Sequence, residues 1–209
     1  MVEKRVGSGI IAWQTKTEQH HPTLTEKTDA MFTSALIVLV VAAVLAGLIF
    51  SVVSRRPAEF RITRSATMAA PAAAVFAHVN DFHRWQAWSP WERLDPAMQR
   101  TFAGAASGTG AIYAWNGNKK AGAGRLTITE SRAGELIGMN LEFIRPFPAT
   151  NQVKFSFEPA NGQTRVTWTM TGVNDNFIFK LMTVVVSMDK MVGGDFERGL
   201  AQLKALVES

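Results

Sequence analysis

The side chains able to do chemistry are few, and their spacing favours none of the common reactions. No cysteine occurs in the 209 residues, which excludes thiol nucleophiles, thiolate-bound zinc, iron–sulfur clusters and disulfide frameworks. Of the four histidines, His20 and His21 lie in a polar N-terminal stretch, whereas His78 and His83 are five apart around the end of a short helical pattern. That separation matches no metal-ligand spacing, and no metal is expected. No HExxH, P-loop, GxGxxG or GxSxG string is present, so the motifs for metalloprotease, phosphate, dinucleotide and serine-hydrolase chemistry are all missing. The acids worth considering are Glu92 and Asp95, which follow a tryptophan run, and Asp189 and Glu197 in a C-terminal helical pattern. Acids in such places ordinarily face solvent or cap turns, and that is the role expected of them.

Aromatic groups are more conspicuous. Trp85, Trp88 and Trp91 recur at steps of three across residues 83–92, where Pro90 limits any helix to about one or two turns. The trio falls roughly on one side and suits either a lid over a cavity or packing beneath a sheet edge. Packing is the expectation for Trp88 and Trp91, with contact at a membrane interface a further use to which tryptophan is suited.

These residues need elements to position them. Across residues 176–207, Phe177, Leu181, Val184, Met188, Met191, Phe196, Leu200, Leu203 and Leu206 recur at three- and four-residue steps, apart from a longer step at Gly193-Gly194. The period predicts one long amphipathic helix, about 45 Å at about 1.5 Å per residue, which needs a large apolar partner. The middle of the chain supplies it. Phe60, Ile62, Ala66 and Met68 alternate with polar residues, as do Tyr113 and Trp115, Leu126 and Ile128, residues 136–144, Val153 to Phe157, and Val166 to Met170. Such alternation predicts strands with one buried face, and the Asn161-Gly162 pair predicts a hairpin. A short helix over 72–82 opens at Pro71. Strands in series with short connections are antiparallel, and the lack of strand–helix alternation excludes a doubly wound fold.

Residues 31–53 carry no charge and suffice to span a bilayer. The run ends in Ser54-Arg55-Arg56 rather than a small-residue cleavage site, which favours a retained single-span anchor over a signal peptide. Residues 1–30 are polar and aperiodic and read as a disordered tail, with Met31 a candidate for the true start. The charges of residues 1–53 cancel, so the net +5 arises entirely beyond them. Arg55, Arg56, Arg61 and Arg64 beside the apolar run suit a membrane surface and predict a cytoplasmic C-terminal domain. Basic residues are not gathered into a stripe with exposed aromatics, so no nucleic-acid partner is expected.

Several strings resemble the SRPBCC superfamily, in its polyketide cyclase/dehydrase-like branch. They are residues 60–65, Ala70-Pro71 through Phe76, Asn80-Asp81-Phe82 with Trp85, Trp88, Ser89, Pro90, Trp91 and Glu92, residues 108–118, and Met188 to Met191 with Asp195 to Leu200. The resemblance implies an α+β helix-grip fold over residues 58–208, reached through a linker at 54–57. In it a curved antiparallel sheet of about seven strands wraps a long C-terminal helix, with an apolar cavity between them. The lining implied by that fold and the alternation is Trp85, Trp88, Tyr113, Trp115, Met139, Leu141, Phe155, Trp168, Met170, Phe177, Leu181, Val184 and Met188. A lipid or other hydrophobic small molecule is the implied partner, with no cofactor. A cyclase or dehydratase would need a cavity-facing acid or base. Arg64, Tyr113, Asn140 and Glu142 are nearest, alternation turns Glu142 away, and Tyr113 is the preferred polar group with Arg64 behind it. A protein-interaction domain of chaperone-activator type is the third implied function.

Overall fold

The computed structural model describes residues 24–55, 58–173, 180–181 and 187–209. The chain divides into two compact units, Met1–Ile49 and Phe50–Ser209. Helix α1 spans Leu24–Ser54, so residues 24–30 are helical although an unstructured tail was expected there. Once an apolar run has nucleated a helix, each further residue adds a hydrogen bond at little cost. The Thr33 hydroxyl donates to the Asp29 carbonyl at 2.8 Å, a partner within its own helix. Met31–Ser54 has a mean hydropathy of 3.1 and is long and apolar enough to cross a membrane.

The second unit is a seven-stranded antiparallel sheet with helices packed against it. Its elements are β1 (Glu59–Met68), α2 (Ala72–Val79), two 3-10 turns (Phe82–Ala87 and Pro90–Arg93), β2 (Gln99–Gly104), β3 (Ala111–Asn116), β4 (Ala123–Arg132), β5 (Leu136–Arg145), β6 (Ala149–Ala160), β7 (Gln163–Val173) and α3 (Met188–Val207). The strand order is β1-β7-β6-β5-β4-β3-β2, so β2 through β7 form a meander and β1 closes on β7, pairing Ile62 with Met170. Asn161 and Gly162 both take positive φ, 52° and 78°, as the tight turn between β6 and β7 demands. Alternation sends Ile62, Tyr113, Met139, Phe155 and Trp168 inward, where Phe196, Leu200 and Leu203 of α3 meet them.

Two helices end earlier or start later than their apolar periods suggest. α2 stops at Val79 rather than at residue 82, because Asp81 is extended and its carboxylate accepts the His83 amide at 2.9 Å to begin a 3-10 turn. The C-terminal helix starts at Met188, not at Asn176. Ser187 is extended (φ −68°, ψ 147°) and its hydroxyl accepts the Lys190 amide at 3.3 Å, an N-cap that ends helical continuity on its upstream side. Lys180 and Leu181 are helical, while residues 174–179 and 182–186, including Phe177 and Val184, lie outside the described residues. The continuous rod of about 45 Å is therefore replaced by a helix of 20 residues, about 30 Å long.

Candidate binding cavity

Between the sheet and α3 lies a cavity of about 580 Å³, within the range of about 300–1,000 Å³ usual for small-molecule sites. The 3-10 segment shapes its inner end. Trp85 and Trp88 point back under α2, their indole N–H groups donating to the carbonyls of Val79 (3.0 Å) and His78 (3.2 Å). Buried indoles need such partners. Trp88 is fully buried and meets Phe155 and Trp168 edge-on, at centroid distances of 6.2 and 5.8 Å. Trp168 stacks on Phe196 of α3 at 4.1 Å. Gly199 permits this approach, since a Cβ there would meet the indole of Trp168 at 2.9 Å and Pro90 at 3.2 Å.

Six of the expected lining residues border the cavity: Trp85, Tyr113, Trp115, Leu141, Trp168 and Met170. Trp88, Met139 and Phe155 do not; they are fully buried in the core, because the 3-10 turn inserts Trp88 into the space between sheet and helix and the inner end fills solid. Leu181 is 39% exposed and lies off the wall. Phe177 and Val184 fall outside the described residues, as does the side chain of Met188. Trp91 serves as packing and as wall together, edge-on to Trp168 (5.4 Å) and Phe196 (6.0 Å) while bordering the cavity.

The wall is mostly apolar, with one polar cluster that sequence spacing did not show. Glu92 was expected at the surface; it is 8% exposed and borders the cavity. Its carboxylate accepts the Tyr113 hydroxyl at 2.5 Å on Oε1 and the Arg100 Nε at 2.6 Å on Oε2, and Arg100 also donates to the Glu92 carbonyl at 3.0 Å. Burial, reinforced by the hydrogen bond to Glu92, pushes the Tyr113 phenol well above its ordinary pKa, so it remains protonated at neutral pH. The Glu92 carboxylate likewise raises Arg100. Asp95 keeps the expected capping role, accepting amides of Ala97 (2.9 Å) and Asn118 (2.7 Å). Glu142 and Asn140 pair with each other at 2.9 Å, and Glu142 also binds Arg125; neither borders the cavity.

Arg64 also stands away from the cavity. It occupies an inward position on edge strand β1, yet its guanidinium crosses α3 over Gly193, where a Cβ would collide with it. It reaches Asp189 (2.7 and 2.9 Å) and Glu197 (2.6 Å). Hydrogen bonds to both carboxylates raise its pKa further, and Arg64 in turn holds Asp189 below the ordinary carboxylate value. Gly193 thus makes room for a side chain rather than for another backbone, and Arg64 fastens the start of α3 to β1.

The outer end of the cavity is bordered by Leu94, Lys120, the 146–149 loop and Met191. Phe147 is 59% exposed there. Among the described residues, no group of three or more His, Cys, Asp or Glu side chains could hold a metal ion.

A curved antiparallel sheet gripping a C-terminal helix around an apolar cavity defines the helix-grip, SRPBCC-like class, a fold suited to hydrophobic ligands. The chain belongs to the family described as polyketide cyclase / dehydrase and lipid transport, whose model matches residues 59–208. Comparison with curated proteins finds no match. Among solved structures, a Chromobacterium violaceum protein is 17% identical with a TM-score of 0.52, the match covering 74% of this chain and 99% of that one. A Nitrosospira multiformis protein is 18% identical with a TM-score of 0.53, over 72% and 97%. A protein of the dynemicin biosynthetic locus is 13% identical with a TM-score of 0.51, over 71% and 47%. At these identities the likeness concerns the fold alone.

Proposed function

We propose that the protein is a membrane-anchored binding module holding a lipid or other hydrophobic small molecule between sheet and C-terminal helix. The observation that carries this reading is the aromatic and aliphatic wall around about 580 Å³ of space. Apolar surface of this kind gains from an apolar occupant roughly in proportion to the area taken from water. Residues 31–53 supply the anchor, the arginines that follow them favour a cytoplasmic domain, and residues 58–208 form the binding domain. Native mass spectrometry of the full chain, gently extracted and released from detergent in the gas phase, tests it. A bound apolar molecule is expected; protein of unliganded mass that also fails to take up any apolar probe would sink the idea.

A cyclase or dehydratase is the second reading, and the contact between Tyr113 and Glu92 at the cavity wall favours it. To serve as a proton donor to a bound carbonyl, the Tyr113 hydroxyl turns from Glu92 toward the substrate, and Glu92 can then return the proton. Turnover of aromatic polyketide-like substrates that vanishes in Tyr113→Phe supports it, whereas undiminished turnover in that variant removes Tyr113 from the chemistry.

A further inference from the structure

The polar groups of the cavity wall are unequal in what they offer a ligand. Glu92 and Asp195 are carboxylates, able only to accept hydrogen bonds. The single proton of Tyr113 is committed to Glu92. Each carboxylate already has its own cation: Arg100 on Glu92, and Arg198 on Asp195. At Glu92 and Asp195 the wall therefore offers acceptors whose charge is already offset, and the Trp168 indole N–H, buried without a partner among the described residues, adds a donor to the same wall. Lys120 is the one basic residue among the described lining groups, and it is solvent-exposed at the outer end.

Asn151 is an independent sign of a polar contact point on this wall. It occupies an inward position on β6, in line with Val153 and Phe155, and is only 5% exposed. Its carboxamide borders the cavity and takes part in no described hydrogen bond. Its cross-strand partner is Gly172, where a Cβ would collide with that carboxamide, so the sheet leaves room for it to stand there. Its polar atoms are not sealed in the core and so are open to a partner from the cavity. Ser89, 2% exposed on the same wall, makes no capping bond to its own 3-10 turn.

Resting on the binding function proposed above, we infer that the occupant is a neutral apolar molecule bearing a hydroxyl group. That hydroxyl donates to the Glu92 carboxylate. A free lone pair remains on each Glu92 oxygen beyond the bonds from Tyr113 and Arg100. Asn151 and Ser89 are able to donate to or accept from oxygen elsewhere on the molecule. An anionic head is disfavoured beside Glu92, because its charge would face that carboxylate where Arg100 is already engaged, and Lys120, the lining cation, stands at the exposed outer end.

The test uses the full chain in phosphatidylcholine nanodiscs, with empty nanodiscs correcting for partition into lipid. Displacement of the neutral dye N-phenylnaphthylamine is measured for dodecanol, for its methyl ether, and for dodecanoate in its ionised form. Dodecanol is expected to bind about tenfold more tightly than either of the others, and Glu92→Gln is expected to erase most of its advantage over the ether. Dodecanoate or the ether binding as tightly as dodecanol overturns the hydroxyl assignment while leaving a hydrophobic binding site in place. Failure of the dye and of all three compounds to bind overturns the binding function itself. If Glu92→Gln does not fold, Tyr113→Phe takes its place: it frees a carboxylate lone pair, so the preference for dodecanol must persist, and its collapse refutes the role given to Glu92.

Discussion

Gly193 and Gly199 lie on the same helix and each admits a neighbour, yet the neighbours differ in stiffness. At Gly199 the neighbour is the Trp168 indole, already stacked on Phe196, together with the Pro90 ring. Gly199→Ala forces a shift in rigid groups and is expected to destabilise by about 1–2 kcal/mol, overpacking outweighing the helical preference for alanine. At Gly193 the neighbour is the end of a flexible Arg64 side chain. Gly193→Ala displaces a largely solvated ion pair but gains helix propensity, so stability stays within about 1 kcal/mol. Urea denaturation of the two variants side by side decides this, and equal losses would contradict it. His78 provides a test by pH. Burial first, and the Arg84 charge second, lower its pKa below the ordinary 6.5. Protonation therefore favours the unfolded chain. The stability involved is complete above the unfolded value of about 6.5 and is lost as pH falls through the folded value. On passing from neutral to mildly acidic buffer, the wild type should lose more Tm than His78→Gln; identical losses would refute the assignment.

At the scale of elements, the start of α3 and the 3-10 segment do most to shape the cavity. α3 begins where Ser187 caps it, and its first turns carry Met191, Val192 and Asp195 to the cavity wall. Ser187→Ala removes the cap and is expected to cost about 0.5–2 kcal/mol. Hydrogen exchange should quicken at Lys190 and Met191, whose amides bond to Ser187, and hardly at all at Leu203. Uniform quickening along the helix would mean that the cap acts globally. The 3-10 segment places three tryptophans in three settings: Trp88 in the solid core, Trp85 at the boundary, and Trp91 against α3. Spacing at three-residue steps signalled a shared side but could not rank their depth, because depth depends on where α2 ends and the chain turns at Asp81.

On the scale of the whole molecule, a span of mean hydropathy 3.1 precedes a cavity-bearing domain. If α1 is a retained anchor, the full chain should stay with membranes through alkaline carbonate extraction, and replacing Val40 and Val44 by aspartate should release it to the soluble fraction. Recovery of the unmodified chain in the soluble fraction would refute anchoring. Alternation and punctuation within the chain sufficed to place six of the seven strands, the Asn161-Gly162 turn and the apolar run, while β2 shows no such alternation. Each depends on neighbours a few residues away, which a linear sequence displays directly. The alternation that predicts β6 begins at Val153 and passes over Asn151, whose inward position and place on the cavity wall emerged with the structure. The contacts of Glu92 with Arg100 and Tyr113 were not visible, since they join residues 8 and 21 positions apart across a turn and two strands. Nor was the solid inner end of the cavity, where Trp88 and Phe155 meet. Local periodicity settles which face of an element is buried; the distance between two elements, and so whether a buried face meets a neighbour or a cavity, is decided only when the whole sheet closes on α3.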